Sequence, residues 1–122
     1  MSRDGTLRDK IAVVTGGRGG IGRAVCARFA REGARVYAAD LAEGARELPD
    51  GVSFAKLDVT REDQVGAVIA EIGAGHGRLD ILVNAAGIEI EKTIEDTSLE
   101  EWNRIFAINV TGTFLVSKYA LP

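Results

Sequence analysis

The feature that most constrains the fold is a glycine-rich turn near the start of the chain, directly after an apolar run. The run begins at Ile11 and is rich in β-branched residues, the predicted strand extends from Lys10 to Val14, and glycines follow at positions 16, 20 and 22. Glycine permits a sharp turn and lets an anion approach the backbone without meeting a Cβ atom. An amphipathic segment from Gly20 to about Glu32 comes next, and the first turn of such a helix favours an anion. The pattern predicts a buried strand, a phosphate-binding loop and a helix.

An acidic residue follows at the place that a dinucleotide site requires. Arg35 to Ala39 predicts a second strand, and Asp40 closes it. The distance from Gly22 is close to the spacing of about 20 residues expected for the acid that binds a ribose. Asp is also common in turns, which is the alternative role. Two strands joined by a crossover helix and ending in an acid favour the dinucleotide half-site.

Strands and helices alternate along the rest of the chain. Val52 to Leu57 and Leu79 to Val83 predict the third and fourth strands, with an amphipathic helix between them. This alternation predicts an α/β fold with a doubly wound, Rossmann-like parallel sheet of strand order 3-2-1-4, truncated before a fifth strand. Residues 1–122 would form the N-terminal part of one dinucleotide-binding domain, with residues 1–8 as a loose arm. The fourth strand would then be an apolar edge, which proteins normally cover.

Apolar spacing also predicts how the helices pack. Ile21, Val25 and Phe29 recur every four residues and predict the buried face of the first helix. Gly73 to Gly77 is glycine-rich and predicts a flexible loop in which His76 is solvated.

The last helix has a clear start signal. Ser98 and Glu101 have the spacing of a capping box. Leu99, Trp102 and Phe106 fall on one face of that helix, where Trp102 is expected to anchor the packing. In the preceding helix, Thr60 is the expected N-cap.

Composition excludes several classes of function. The net charge of −3 gives no basic surface for nucleic acid or an anionic membrane. The one cysteine, Cys26, excludes an internal disulfide and fits a reducing compartment. The sequence has no metal-binding pattern, no apolar run of about 18 residues that could span a membrane and no signal-peptide core. These observations predict a cytoplasmic protein.

The glycine turn also resembles the signature of a known family. Thr15-Gly16-x-x-x-Gly20-Ile21-Gly22 is similar to the T-G-x-x-x-G-[IL]-G motif of the short-chain dehydrogenases/reductases, and further matches extend the resemblance from about Asp9 to the last residue. The resemblance implies that the loop and the end of the second strand bind the pyrophosphate and adenosine of a nicotinamide cofactor. The residues that it implicates are Gly16, Arg18, Gly19, Gly20, Ile21, Gly22, Asp40 and Leu41.

Two further segments carry the resemblance. Asp58-Val59 is similar to the family's Asp-[VIL] pair, which contacts the adenine ring; the alternative, that Asp58 only stabilises a strand-to-helix turn, stays equally open. The sequence from Asn84 through Ala85 and Ala86 to Gly87 resembles the N-N-A-G motif, with Ala85 in place of the second Asn. By resemblance this segment lines the ribose and nicotinamide side of the cofactor.

One catalytic residue is implied. Asn109 lies in a segment that resembles the family's N-[VL]-x-G-x-[FW] helix, whose Asn belongs to a catalytic tetrad and holds a water that relays protons to a lysine. The other tetrad members are a Ser and a Tyr-x-x-x-Lys pair, and no tyrosine of this chain is followed by lysine four residues later. Hydride transfer to a carbonyl needs an acid near the substrate oxygen.

Two functions therefore remain open. The first is a nicotinamide-dependent oxidoreductase that interconverts a secondary alcohol and a ketone, similar to a 3-oxoacyl reductase or a sugar or hydroxy-acid dehydrogenase, with this chain as the cofactor-binding half. Its partners would be a small-molecule substrate, a C-terminal half on another polypeptide or a symmetry mate, and further copies in a homo-oligomer. The alternative is a truncated, catalytically inactive dinucleotide-binding module.

The expected cofactor is NAD rather than NADP. A carboxylate at Asp40 accepts hydrogen bonds from ribose hydroxyls and repels a 2′-phosphate. Arg18 in the glycine loop is the contrary signal, but it does not directly precede Gly20.

Overall fold

The computed structural model describes residues 5–42 and 47–121. Residues 5–8 of the predicted loose arm are tied to the end of the first helix, because the backbone N–H of Leu7 donates to the carbonyl of Glu32 at 2.9 Å. That part of the arm is therefore not loose, and residues 1–4 lie outside the described residues. Before the third strand, the chain makes a sharp turn at Pro49 to Gly51, with Gly51 at a φ of 83°.

Four parallel strands form the sheet that the sequence predicts. They are β1 (Ile11–Thr15), β2 (Arg35–Asp40), β3 (Val52–Lys56) and β4 (Ile81–Asn84), in the order β3-β2-β1-β4. Strand β1 is central and buried along its whole length. A strand that pairs on both edges and is covered on both faces favours the continuous β-branched run seen there. The predicted strand order is confirmed.

Helices cover both faces of the sheet. Helix α1 (Gly20–Arg31) packs on one face, while α2 (Glu62–His76) and α4 (Gly112–Ala120) pack on the other. Helix α3 (Leu99–Phe106) leads into α4 through a π-helical turn (Ala107–Thr111). The two-residue period of β1 divides its side chains between these layers, with Ala12 and Val14 facing α1 and Ile11 and Val13 facing α2 and α4.

The buried face of α1 differs from the prediction. Gly22, Cys26 and Ala30 are buried, whereas the side chain of Ile21 is 78% exposed. Small side chains let the helix lie close to the alanines of β1 and β2, and Val25 and Phe29 pack only at the margin. Burial raises the pKa of the Cys26 thiol to about 11. Cys26 is therefore a small packed residue, as expected for a cysteine with no His or second Cys near it in the sequence.

The end of α2 also differs from the prediction. The helix runs through the expected loop to His76, and Gly77 ends it with a φ of 73°. The Tyr37 hydroxyl lies 2.5 Å from Nε2 of His76, and their rings meet edge to face with centroids 5.6 Å apart. His76 is therefore not a solvated loop residue. This contact with β2 overrides the low helix propensity of the glycines in the last turns.

Helix α3 begins as predicted but packs differently. Ser98 and Glu101 form both hydrogen bonds of the capping box, at 3.0 Å each. Leu99, Trp102 and Phe106 share one face, but Trp102 is 52% exposed and its ring stacks on Phe106 of the same helix at 4.8 Å. Trp102 does not anchor α3 in the core, so that prediction is wrong.

The close packing of α1 against the glycine loop gives a stability test. A Cβ atom added at Gly22 would overlap the carbonyl oxygen of Gly16, whereas one added at Gly20 would meet nothing. We expect Gly22→Ala to lower the free energy of unfolding in urea by about 2 kcal/mol, the usual cost of overpacking. Gly20→Ala is the matched control, with an expected change within about 0.5 kcal/mol. Equal effects of the two substitutions would contradict the packing described here.

The cap of α3 gives a pH-dependent test. The Lys92 ammonium, 2.7 Å away, and the Ser98 cap lower the pKa of Glu101 from its ordinary 4.5 to about 2. A carboxyl whose pKa is lowered on folding stabilises the protein above its ordinary pKa, and this contribution is lost as the pH falls towards 2. We expect Glu101→Gln to lower the melting temperature at pH 7, by a margin that shrinks below pH 4.5. Glu100→Gln, on the same turn, is the control, and a constant margin for Glu101→Gln would contradict this role.

Candidate active site

A cleft of about 490 Å³ opens at the carboxyl ends of the strands. It lies where β1 has β2 on one side and β4 on the other, so the connections run in opposite directions from this point. In open parallel sheets this switch in direction leaves a crevice in which ligands bind. The residues that line it are Gly16, Gly19, Ala39, Asp40, Leu41, Leu57, Asp58, Val59, Thr60, Ala85, Ala86, Gly87, Ile88, Arg104, Ala107 and Ile108.

The glycine loop forms one wall of the cleft. Gly16 has a φ of 65°, and a Cβ atom there would lie 2.7 Å from the carbonyl oxygen of Ala85. Gly19 is the N-cap of α1, no side chain caps this end, and the first turn has no acidic residue. The N–H groups of this turn are therefore available to an anion in the cleft.

Thr15 connects the glycine loop to the segment after β4. Its side chain is buried, and its hydroxyl oxygen accepts hydrogen bonds from the backbone N–H groups of Ala85 and Ala86, each at 3.2 Å. The sequence places Thr15 in the motif but does not single it out as a site residue. Its signal is a hydroxyl at the end of an otherwise apolar strand, where a buried polar group needs partners.

Asp40 is oriented by backbone groups. Its Oδ2 accepts a hydrogen bond from the backbone N–H of Arg18 at 3.1 Å, and its Oδ1 accepts one from Leu41 at 2.8 Å. The carboxylate thus holds the glycine loop against the end of β2 and lines the cleft as well. Each carboxylate oxygen keeps a second lone pair for a ligand hydroxyl.

Asp58 stabilises the turn between β3 and α2 and also lines the cleft. Its Oδ1 accepts hydrogen bonds from the hydroxyl and the backbone N–H of Thr60, at 2.6 and 2.9 Å. These bonds, the hydroxyl's most of all, lower the pKa of Asp58. The N-cap of α2 is Arg61 rather than the predicted Thr60. The turn alternative for Asp58 is thus realised, and its position beside Val59 leaves it able to contact a ligand.

The end of β4 and the segment after it are hydrogen-bonded to α4 and to the π-helical turn. Nδ2 of Asn84 donates to Oγ of Ser117 at 3.2 Å, so this side chain is directed to α4 and does not line the cleft. The Asn109 amide makes two hydrogen bonds to the backbone of Ile88, accepting from its N–H and donating to its carbonyl, each at 2.9 Å. A π-helical turn is a frequent feature of functional sites.

The structure brings most of the predicted site residues together. Gly16, Gly19, Asp40, Leu41, Asp58, Val59, Ala85, Ala86 and Gly87 line the cleft. The others do not line it: Arg18, Gly20, Ile21, Gly22, Asn84 and Asn109. Of these, Arg18 and Asn109 position lining segments through the hydrogen bonds described above.

The sequence prediction missed one wall of the cleft. Arg104, Ala107 and Ile108 line it from α3 and the π-helical turn. Their spacing of three and four residues places them on one helical face, which is the signal that could have identified them.

Two negative findings apply to residues 5–42 and 47–121. Within them no cluster of three or more His, Cys, Asp and Glu side chains is placed to hold a metal ion. Their helices are also too short or too polar to cross a membrane.

The cleft can be compared with known proteins. Over 119 residues the chain is 44% identical to the cyclopentanol dehydrogenase of Comamonas testosteroni, a match that covers 91% of this chain and 48% of the relative. It is 32% identical over 123 residues to the NAD-dependent glycerol dehydrogenase of Listeria innocua, covering 97% of this chain and 48% of the relative. The chain spans about half the length of these relatives.

A solved structure shares the fold. The ligand-free aldohexose dehydrogenase of Thermoplasma acidophilum matches with a TM-score of 0.87 and 41% sequence identity, over 95% of this chain and 44% of that chain. The model of the family described as short chain dehydrogenase matches residues 10–122. With its strand order, glycine loop and cleft, this chain belongs to the short chain dehydrogenase family.

Proposed function

We propose that the protein to which this chain belongs is a nicotinamide-dependent oxidoreductase that interconverts a secondary alcohol and a ketone. The observation that carries the proposal is the single cleft into which the glycine loop, Asp40, Asp58 and the segment after β4 all open. The relatives named above act on cyclopentanol, glycerol and aldohexoses, which supports a small alcohol or sugar as substrate.

The residues of the cleft fit a dinucleotide. The uncapped first turn of α1 offers backbone N–H groups to the pyrophosphate, and Gly19 lines the cleft next to this turn without a side chain. A side chain at Gly16 would meet the backbone of Ala85. Asp40 would accept hydrogen bonds from the adenosine ribose, Asp58 and Val59 would contact the adenine, and Ala85 to Gly87 would border the nicotinamide half. When bound, the nicotinamide accepts a hydride from the alcohol or donates one to the ketone.

Asn109 would act in this reaction through the backbone. Its amide fixes Ile88, and with it the small residues before Ile88 that border the nicotinamide half. The proton for the substrate oxygen needs an acid with a lowered pKa, such as the tyrosine of a Tyr-x-x-x-Lys pair. We propose that a further polypeptide segment supplies this acid, because the sequence of this chain contains no such pair.

Association with further polypeptide is part of the proposal. Several apolar side chains on α3, the π-helical turn and α4 are exposed: Leu99, Trp102, Phe106, Val110 and Phe114. The β4 residues Ile81 to Val83 are only partly buried among the described residues. A C-terminal half or a second copy of the chain would cover such surfaces. The compartment we propose is the cytoplasm, in keeping with the lone and buried Cys26.

The alternative function is a dinucleotide-binding module without turnover. The same cleft supports cofactor binding in either case. The enzyme and the binding module differ in whether a proton-donating acid is present at the substrate. Both alternatives predict that the chain binds the cofactor.

We expect NAD(H) to bind more tightly than NADP(H). Asp40 lines the cleft with both oxygens oriented by backbone N–H groups, and in this proposal it faces the adenosine ribose. A 2′-phosphate placed there would carry nearly two negative charges against this carboxylate. The NAD-dependent glycerol dehydrogenase among the relatives supports the same choice.

Cofactor preference can be tested by calorimetry. We expect wild-type protein to bind NADH more tightly than NADPH, and Asp40→Ala and Asp40→Asn to reduce this preference at least about tenfold because the repulsive charge is gone. Asp50→Ala, in the exposed turn before β3, is the control and should leave the preference unchanged. Tighter binding of NADPH than of NADH by the wild type would refute the choice of NAD. An unchanged preference in both Asp40 variants would show that Asp40 only stabilises the turn after β2.

Turnover separates the two functions. The purified 122-residue chain is expected to show no steady oxidation of NADH with any ketone, since its sequence contains no Tyr-x-x-x-Lys pair. Adding a polypeptide that carries this pair should restore turnover if the protein is an enzyme. Steady NADH consumption by the chain alone, shown to be free of other polypeptides by intact mass, would contradict the expectation. Binding without turnover in every combination would favour the module.

A further inference from the structure

The cleft has one cationic side chain among its described lining residues. Arg104 projects from α3, is exposed, and lines the cleft one turn before Ala107 and Ile108. Its guanidinium makes no hydrogen bond or ion pair with any residue in the described ranges 5–42 and 47–121. Because the guanidinium is exposed and makes no such contact, its planar face and its N–H donors are accessible to a ligand in the cleft.

The position of Arg104 within the cleft is set by its neighbours. Its charge acts on Asp58, whose pKa it helps to lower, and Asp58 lies with Val59 at the end of β3. Arg104 lines the same cleft as this pair, and the side chain of Val59 packs against Gly112, at the end of the π-helical turn that follows α3. The turn after Arg104 therefore adjoins the end of the cleft that this pair forms. In the proposed function this end holds the adenine.

The chemistry of a guanidinium suits a purine base. The group is planar and weakly hydrated, and it stacks on flat π systems, whereas a lysine ammonium is a compact point charge. Val59 and Ile108 provide apolar surface beside Arg104, so a base entering here would exchange water for side-chain contacts on both faces. A stacking contact of this kind contributes to the binding of a base without reading the charge of its phosphates.

We propose that Arg104 is a cofactor-binding residue that stacks its guanidinium on the adenine of the cofactor, opposite Asp58 and Val59. The inference rests on the proposed function, since it assumes that a dinucleotide binds in this cleft. The competing role is attraction of the pyrophosphate by the positive charge of Arg104, and this role predicts a different dependence on the ligand.

The test compares the binding of four ligands to the purified wild-type protein and three variants by calorimetry. The ligands are adenosine, 5′-AMP and nicotinamide mononucleotide, with NADH as the complete cofactor. We expect Arg104→Ala to lower the affinity for adenosine, 5′-AMP and NADH by about tenfold each, in keeping with the loss of a stacked guanidinium. The affinity for nicotinamide mononucleotide should not change. Arg104→Lys should recover only a small part of this loss because it keeps the charge but not the plane.

The matched control is Arg61→Ala. Arg61 also lowers the pKa of Asp58, but it does not line the cleft. Its removal should leave the binding of all four ligands unchanged. The melting temperature of the ligand-free protein should differ little between Arg104→Ala and wild type, because the guanidinium makes no hydrogen bond or ion pair with another described residue and its charge is the least of the causes that lower the pKa of Asp58.

Each outcome decides between the roles. Loss of 5′-AMP binding with unchanged adenosine binding, full recovery in Arg104→Lys, or an equal loss in Arg61→Ala would overturn the stacking role in favour of charge. Unchanged binding in Arg104→Ala would overturn any role. If the wild-type protein binds neither 5′-AMP nor NADH, the proposed function is overturned, and the role of Arg104 with it. If the wild type binds both and Arg104→Ala binds them equally well, only the inference about Arg104 is overturned.

Discussion

The arrangement of the site depends on the contact between the end of β1 and the segment after β4. The Thr15 hydroxyl accepts hydrogen bonds from two backbone N–H groups of that segment, and Gly16 lies so close to the segment that a side chain there would not fit. Two chain segments far apart in sequence are thereby fixed side by side at the carboxyl edge of the sheet. The glycine loop, Asp40 and the small residues after β4 can then face one another across the cleft because their backbones have no freedom to separate.

The order of the strands could be predicted from the sequence because it depends on local signals that agree. The β-branched run of β1, the glycine loop and the acid after β2 each favour the same half-site, and apolar periodicity adds the remaining elements. The predicted order is the one observed. Most of the residues expected at the cofactor lie in one cleft for the same reason, since parallel strands bring their carboxyl ends to a common edge.

What could not be predicted depends on contacts between elements. Apolar spacing assigns the buried face of α1 to its largest side chains, but close approach to the alanines of the sheet favours Gly22 and Cys26. Periodicity does not reveal how close two layers lie. The glycines around His76 predict a loop, although the helix continues to His76, which contacts Tyr37. The sequence does not identify Arg104 as a site residue, because only the fold brings α3 to the cleft that Asp58 also lines.

The π-helical turn between α3 and α4 has a consequence for the phase of the helix. Its backbone bond from the N–H of Gly112 to the carbonyl of Ala107 inserts one residue beyond α-helical spacing. Because each residue advances an α-helix by about 100°, this extra residue rotates everything after it by roughly a quarter of a turn. Leu115 and Val116 face the sheet while Asn109 still reaches Ile88. A chain shortened by one residue between 107 and 111 would have to give up one of these two alignments.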